Sequence, residues 1–248
     1  MEVVRSIGKF STISLNEMNE VSLMKRIDTK FLIPIGQLHK ILNSVVDHYK
    51  VLEINGNRTM TYRSLYFDTA CGKFYKDHHN GRSKRTKVRI RNYVESELFF
   101  LEIKQKDNKG VTAKTRIKID DFEINLSEHS KQFIYDTVSN NYDLAPSLWN
   151  GFKRVTLVDA VNKERITIDF DLNYTFGNNK KKFDSLAIVE MKQERYNRNS
   201  PIVAQLKSIQ SHPYSISKYC IGLMSLCNNL KYNRFKKNIL KIEKLANA

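Results

Sequence analysis

The sequence predicts an α+β fold built on one large, mostly antiparallel β-sheet with helices packed outside it. Three observations predict it. Segments in which polar and apolar residues alternate at period two recur through both halves of the 248-residue chain. Helix-period segments are inserted among them rather than gathered in one block. No internal repeat or low-complexity linker divides the chain, although its length alone would also admit two small domains. About eight strands suffice to close such a sheet into a barrel.

Each element follows from its residues. Positions 25–33, Lys-Arg-Ile-Asp-Thr-Lys-Phe-Leu-Ile, alternate and read as a strand that Pro34-Ile35-Gly36 stops. Leu38, Ile41, Leu42, Val45 and Val46 stand at helical spacing, which predicts a helix over 37–49. Residues 59–68 are rich in Thr, Tyr and Phe and read as a strand. Residues 84–93 and 97–106 form a hairpin, Lys109-Gly110 a turn, and 111–120 a further strand. A helix follows over 127–140, then a break at 146–150 and a second hairpin, 152–160 with 164–174. Residues 177–182 read as a polar loop, 185–192 as a strand, and 201–209 and 217–229 as helices. The end, 231–248, reads as a basic amphipathic helix or a frayed tail, set apart from a main domain over 1–230.

Composition narrows the function. Apolar residues make up 41% and charged residues 27%, which excludes collagen, a disordered tail and a coiled coil. No window approaches the ~20 apolar residues that cross a bilayer, and the first residues lack a signal peptide's pattern. A cytoplasmic protein is expected. Cys71, Cys220 and Cys227 are an odd number without framework spacing; they read as small buried hydrophobes rather than a disulfide or zinc set. The six histidines are scattered, and His78-His79 reads as a solvated loop. Neither a P-loop nor a dinucleotide fingerprint appears among the nine glycines. The 42 Lys and Arg against 26 Asp and Glu leave a charge of +16, which calls for nucleic acid, an anionic membrane or a polyanionic small substrate as partner.

The strands show where that charge sits. Lys87, Arg89 and Arg91 share one face, as do Glu102, Lys104 and Lys106, and Lys114, Arg116 and Lys118. Arg165, Thr167, Asp169 and Asp171 form a fourth such set, and Glu190 with Lys192 a fifth. A half-exposed sheet with a solvated face would account for the alternation. Against that, like charges opposite one another on adjacent strands are destabilising, unless the sheet curls and the face encloses a polyanion. Arginine offers a bidentate fork to phosphate and lysine a compact charge; Glu190 and Glu102 could hold a hard cation through oxygen.

An ordered set of motifs adds to this. It comprises Arg26-x-Asp28-x-Lys30-Phe31, Ser64-Leu65-Tyr66-Phe67-Asp68-Thr69, Lys87-Val88-Arg89-Ile90-Arg91-Asn92-Tyr93 and Phe100-Leu101-Glu102-Ile103-Lys104. Arg154, Arg165-Ile166-Thr167-Ile168-Asp169, Val189-Glu190-Met191-Lys192 and Ser215-Ile216-Ser217-Lys218-Tyr219 complete it. Over about 18–229 the chain resembles the polyphosphate polymerase (VTC) domain of the triphosphate tunnel metalloenzyme, or CYTH-like, superfamily. The resemblance implies a closed tunnel of about eight antiparallel strands. It implies that Lys30, Arg89, Arg91, Lys104, Arg154, Arg165 and Lys218 grip phosphates as catalytic residues. Arg26, Lys87, Arg116 and Lys192 would bind substrate beside them, and Glu190, assisted by Glu102, would ligate Mn²⁺ or Mg²⁺.

The implied partners are a nucleoside triphosphate and polyphosphate, with no sequence-specific nucleic acid. Two positions depart from the pattern. Arg26 and Asp28 stand where the superfamily often has two glutamates, which suits the polymerase branch better than a hydrolase. Phe152 stands where the branch often has a tyrosine, removing a hydroxyl. An inorganic triphosphatase on the same scaffold is the first alternative, and a polyanion- or nucleic-acid-binding module using Tyr62, Tyr66, Phe67, Tyr75 and Tyr93 the second. The basic tail admits a peripheral membrane contact, or an ordinary surface helix docked by its apolar side.

Overall fold

The computed structural model describes residues 2–20 and 27–246. The main path of the sheet is built from β2 (Ile27–Pro34), β4 (Met60–Thr69), β5 (Arg85–Tyr93), β6 (Leu98–Lys106), β7 (Thr112–Ile119), β8 (Leu144–Asp159), β9 (Glu164–Phe176) and β11 (Leu186–Gln193). They lie in the order β2-β11-β9-β8-β4-β5-β6-β7, every neighbouring pair antiparallel. Short β1 (Thr12–Ile13), β3 (Lys50–Leu52) and β10 (Asn179–Phe183) extend it, with β1–β3 the one parallel pair among the described residues. The helices are α1 (Glu2–Ile7), α2 (Leu15–Glu20), α3 (Ile35–Ser44), α4 (Lys73–His79), α5 (Glu128–Val138), α6 (Pro201–Ser208), α7 (Lys218–Leu226) and α8 (Lys236–Ala246). None is long and apolar enough to cross a membrane.

Alternation sorts the side chains as the sequence predicts. Phe31, Ile33, Val155, Leu157, Ile166, Ile168, Val189 and Met191 point outward under α3 and α6, where they meet Leu38, Leu42, Val203 and Leu206. Val88, Ile90, Leu101 and Ile103 form a second outward cluster with Phe74 of α4 and Ile134 of α5. Each such side chain contributes about 1.5–3 kcal/mol when fully removed from water. The inner face is charged over part of its length and apolar over the rest. There Leu148, Leu172 and Tyr174 pack against Tyr219, Cys220 and Leu223 of α7. Gly222 lets that helix approach: a Cβ there would stand 2.4 Å from Tyr174 and 2.5 Å from Leu148.

Closure of the sheet is the main correction. Among the described residues no ladder joins β2 to β7, so the expected closed barrel is an open, curled sheet. The outer edge of β2 already has partners in the segment before α7. The Tyr214 N–H donates to the Lys30 carbonyl (2.7 Å) and the Ser211 hydroxyl to the Leu32 carbonyl (3.1 Å). That segment, not β7, satisfies the backbone a closing strand would take.

Smaller differences have local causes. The expected break at 146–150 is continuous strand; β8 absorbs Pro146 at a register shift opposite Tyr66/Phe67, where a bulge tolerates a missing N–H. The expected loop over 177–182 pairs onto β9 as β10. The helix expected over 37–49 ends at Ser44. His78 and His79 lie in α4, not a solvated loop, and His79 is buried. Asp68, folding back from β4, accepts the Phe74 and Tyr75 N–H groups and so starts that helix. Asp171 leaves the charged face: at φ 52°, beside the bulge between Gly151 and Lys153, it turns outward to Lys153 (2.8 Å). The C-terminal helix α8 buries Ile242 and Leu245 against the same cluster as α7, so its apolar side is docked on the body.

Candidate active site

The charged part of the concave face encloses a cavity of about 200 Å³. Nine cations line it: Lys30 (β2), Lys87, Arg89 and Arg91 (β5), Lys104 (β6), Lys114 (β7), Arg154 (β8), Lys192 (β11) and Lys218 (α7). Three carboxylates join them, Asp28, Glu102 and Glu190, leaving a surplus of six positive charges. Six of the seven residues expected to grip phosphate are therefore together. Arg165 is not on that wall; its Nη2 donates to the Met18 carbonyl (3.3 Å). Of the residues expected to bind substrate, Lys87 and Lys192 line the cavity. Arg116 instead lies over the Phe100 ring at 4.4 Å, and Arg26 lies outside the described residues.

Buried acids hold the cations in place. Glu102 accepts from Arg89 Nε (2.9 Å) and Nη2 (2.7 Å) and from Lys114 Nζ (2.5 Å). Asp169, fully buried, accepts from Arg154 Nε (2.5 Å) and Nη2 (2.8 Å) and from Lys218. Glu190 sits 3.0 Å from Lys192 Nζ. Burial opposes ionisation of each acid, but the flanking cations outweigh it and hold all three carboxyls well below the usual range. Arg89 and Arg154 are thus fixed as planar forks before any substrate arrives, while Arg91 Nε donates to Ser64 Oγ (3.2 Å). The attraction these groups exert is strengthened by a partly dry cavity.

The same field shifts the neutral and basic groups. Burial and neighbouring cations push Lys104, Lys218 and Arg91 down. Lys87, whose Nζ donates to Ser217 Oγ (3.0 Å), is pushed down to about 8 by burial. Tyr66 accepts a hydrogen bond from Arg89 Nη1 (3.0 Å); burial alone would raise its phenol, yet Arg89, Arg91 and Lys87 bring it to about 8. Phe152 stacks on Tyr62 at 5.1 Å and offers its ring to Arg91, Arg154 and Lys218 at 5.6, 5.3 and 4.7 Å. Where a hydroxyl was expected to be missing, the site has a cation–π surface.

Sequence reasoning left Lys114, Tyr66 and Asp169 out of the site. Lys114 and Asp169 each carried the period-two signal; what no local pattern supplied was which acid would meet which cation. The oxygen donors suit a hard divalent ion in part: Glu190 and Asp28 lie on neighbouring strands, Glu190 across from Lys30 and Asp28 across from Lys192. Glu102 has both oxygens engaged by Arg89 and Lys114. Among the described residues no three His, Cys, Asp or Glu side chains cluster as a ready-made metal site.

A curled antiparallel sheet whose concave wall is a preorganised cage of guanidinium and ammonium groups defines a polyanion-receptive α+β domain. The VTC domain model matches residues 25–227, and the chain belongs to the VTC domain family. No curated protein sequence matches it. Among solved structures, HpAC1 from Hippeastrum, described as a putative adenylyl cyclase that reveals a dominant triphosphatase activity, shares the fold. It superposes with a TM-score of 0.51 at 17% identity, over 84% of this chain and 99% of that one. A conserved hypothetical protein from Pyrococcus furiosus matches with a TM-score of 0.38 at 13% identity, over 75% of this chain and 88% of that one. The PH1012 protein from Pyrococcus horikoshii gives 0.39 at 8% identity with the same coverage, 75% and 88%.

Proposed function

We propose that the chain is a metal-dependent phosphotransferase, a polyphosphate polymerase that moves the γ-phosphoryl of a nucleoside triphosphate onto the end of a phosphate chain. The observation that carries this reading is the convergence of nine cations on one cavity of about 200 Å³. Membership of the VTC family and the family motifs support it. Residues 1–230 form the catalytic unit in this reading and 231–248 an appended helix; the site of action is the cytoplasm.

Phosphoryl transfer asks little covalent chemistry of a protein; it asks for alignment and charge cancellation. A terminal oxygen of the acceptor chain attacks the γ-phosphorus, the bond to the β–γ bridging oxygen breaks, and the electron pair leaves with the nucleoside diphosphate. Arg89, Arg91 and Arg154 present forks to the non-bridging oxygens, while Lys30, Lys104 and Lys218 hold neighbouring phosphates. Arg116 and Arg165 stand off the wall and serve only substrate held beyond it. Glu190, with Asp28 beside it, would hold Mn²⁺ or Mg²⁺, which cancels charge on phosphate oxygens when bound. Glu102 and Asp169 act through Arg89, Arg154 and Lys218, as positioning residues. The 211–218 segment, lying along the β2 edge, completes the wall of a tunnel for the chain.

The test is labelled ATP with Mn²⁺, on wild type, Arg89→Ala and Glu190→Ala, with products separated by chain length. Wild type lengthens the chain; Arg89→Ala loses about 10²–10³ of the rate, as removing one preorganised donor does elsewhere, and Glu190→Ala loses the stimulation by Mn²⁺. Free phosphate without chain growth assigns the triphosphatase reaction named for HpAC1 instead. If wild type forms neither longer polyphosphate nor free phosphate, the enzyme reading is refuted.

A further inference from the structure

The cationic track does not stop at the cavity. On the inner face Lys87 stands across from Lys104, and Lys104 across from Lys114. One two-residue step farther out, about 7 Å along the strands, Arg85 stands across from Lys106. Like charges placed directly opposite on an antiparallel ladder repel. Both side chains are half-buried, and neither has a carboxylate or hydrogen-bond partner among the described residues.

Two further features lie at this rim. His78 of α4 keeps its Nδ1 buried without a hydrogen-bond partner. Burial, with Lys87, Arg85, Lys30 and Lys106 nearby, pushes its imidazole down to about 3, so it is neutral at physiological pH. Beyond the strand ends a groove of about 520 Å³ opens on the outer side of β5 and β6, lined by Lys73, Lys84, Arg85 and Lys106. Its two acids are committed: Asp77 to Lys73 (2.7 Å) and Asp107 to the Val111 N–H (2.8 Å).

We propose that Arg85, Lys106 and His78 form a second anion subsite at the cavity mouth, which takes the phosphoryl groups of a chain too long for the cavity and leads them over the rim into the groove. This rests on the phosphate-chain reading above and extends it: the chain's length beyond the cavity is recognised, not only its end. Two cations, beside a neutral imidazole that has one N–H to turn toward a phosphate oxygen, suit a bare polyphosphate. A nucleic acid would need exposed rings to stack its bases; here Phe74 is buried and Tyr142 is set edge-on against it at 5.2 Å.

The experiment compares the full chain with an Arg85→Ser/Lys106→Ser double variant, binding tripolyphosphate and long-chain polyphosphate at one fixed salt concentration. Removing two like charges from a strained pair leaves the fold intact, and an unchanged tripolyphosphate affinity reports that it has. The expected result is that affinity for tripolyphosphate holds while affinity for the long chain falls about tenfold, about 1.4 kcal/mol. Unchanged long-chain affinity overturns the proposal, and so does an equal loss for both ligands, which would place these residues in the cavity's own work. Single-stranded RNA bound by wild type as tightly as the long chain, and weakened equally in the variant, also overturns it. Wild type that binds neither phosphate chain fails the underlying reading instead, and the subsite with it.

Discussion

Asp169 is where the cage is most exposed to a single change. Its carboxylate is fully buried and holds both Arg154 and Lys218, whose side chains are only 16% and 14% exposed. Asp169→Asn keeps the shape and removes the charge, leaving two buried cations facing a neutral amide. Breaking a buried pair by removing one partner costs about 3–5 kcal/mol. In a chain of this size each kcal/mol moves the melting midpoint by about 2–4 °C, so a fall of roughly 6–20 °C is expected.

The carboxyl is held below its usual range in the folded chain, so its stabilisation is complete above the unfolded value, about 4, and is lost as pH falls through the folded one. Urea midpoints of wild type and variant should therefore converge in acid. Tripolyphosphate, which supplies the missing negative charge, should raise the variant's midpoint more than that of wild type. A midpoint change below about 1 kcal/mol at neutral pH would refute the claim that these charges are desolvated. So would a gap that persists undiminished in acid.

Three other outcomes follow from the same structure. Lys87 is pushed down to about 8 by burial; a bound phosphate chain restores its charge, so binding should take up a proton near that pH and weaken as pH rises through it. Calorimetry in buffers of different ionisation enthalpy measures the uptake, which Lys87→Met should diminish. Gly222→Ala drives a methyl into Tyr174 and Leu148 and should cost about 1–3 kcal/mol by overpacking, read as a lower urea midpoint. Ser217 caps α7 by accepting the Cys220 N–H and also accepts from Lys87; Ser217→Ala should cost about 0.5–2 kcal/mol, with tripolyphosphate binding weakened beside it.

The strands were legible because period-two alternation is a local property. Val88 and Ile90 face one way and Lys87, Arg89 and Arg91 the other whatever the sheet does next. The elements that escaped reading depend on distant partners. Helix α4 begins where Asp68 accepts its first N–H groups, and β10 exists only because β9 offers an edge. Asp171 carried the alternation signal and still left the inner face, because a bulge in the neighbouring ladder turned it out. Arg165 and Arg116 shared the right faces too, and stand directly across from the cavity-lining Lys192 and Glu102. Their side chains turn instead to the Met18 carbonyl and the Phe100 ring, partners that alternation does not encode.

By itself the sequence determined that this chain is an α+β protein with a large antiparallel sheet, one face of which is crowded with lysine and arginine. It also carried the family, through short motifs whose residue types sit on individual strands. Only the tertiary structure decided that strands far apart in the chain, β2 and β6 among them, deliver Lys30 and Lys104 to one small cavity. It alone decided that Glu102 and Asp169 would brace the arginines, and that the segment before α7 would take the sheet edge which a closing strand would otherwise use. The reason is that hydrogen-bond partners and desolvation are set by which segments meet, and meeting is a property of the whole curled sheet.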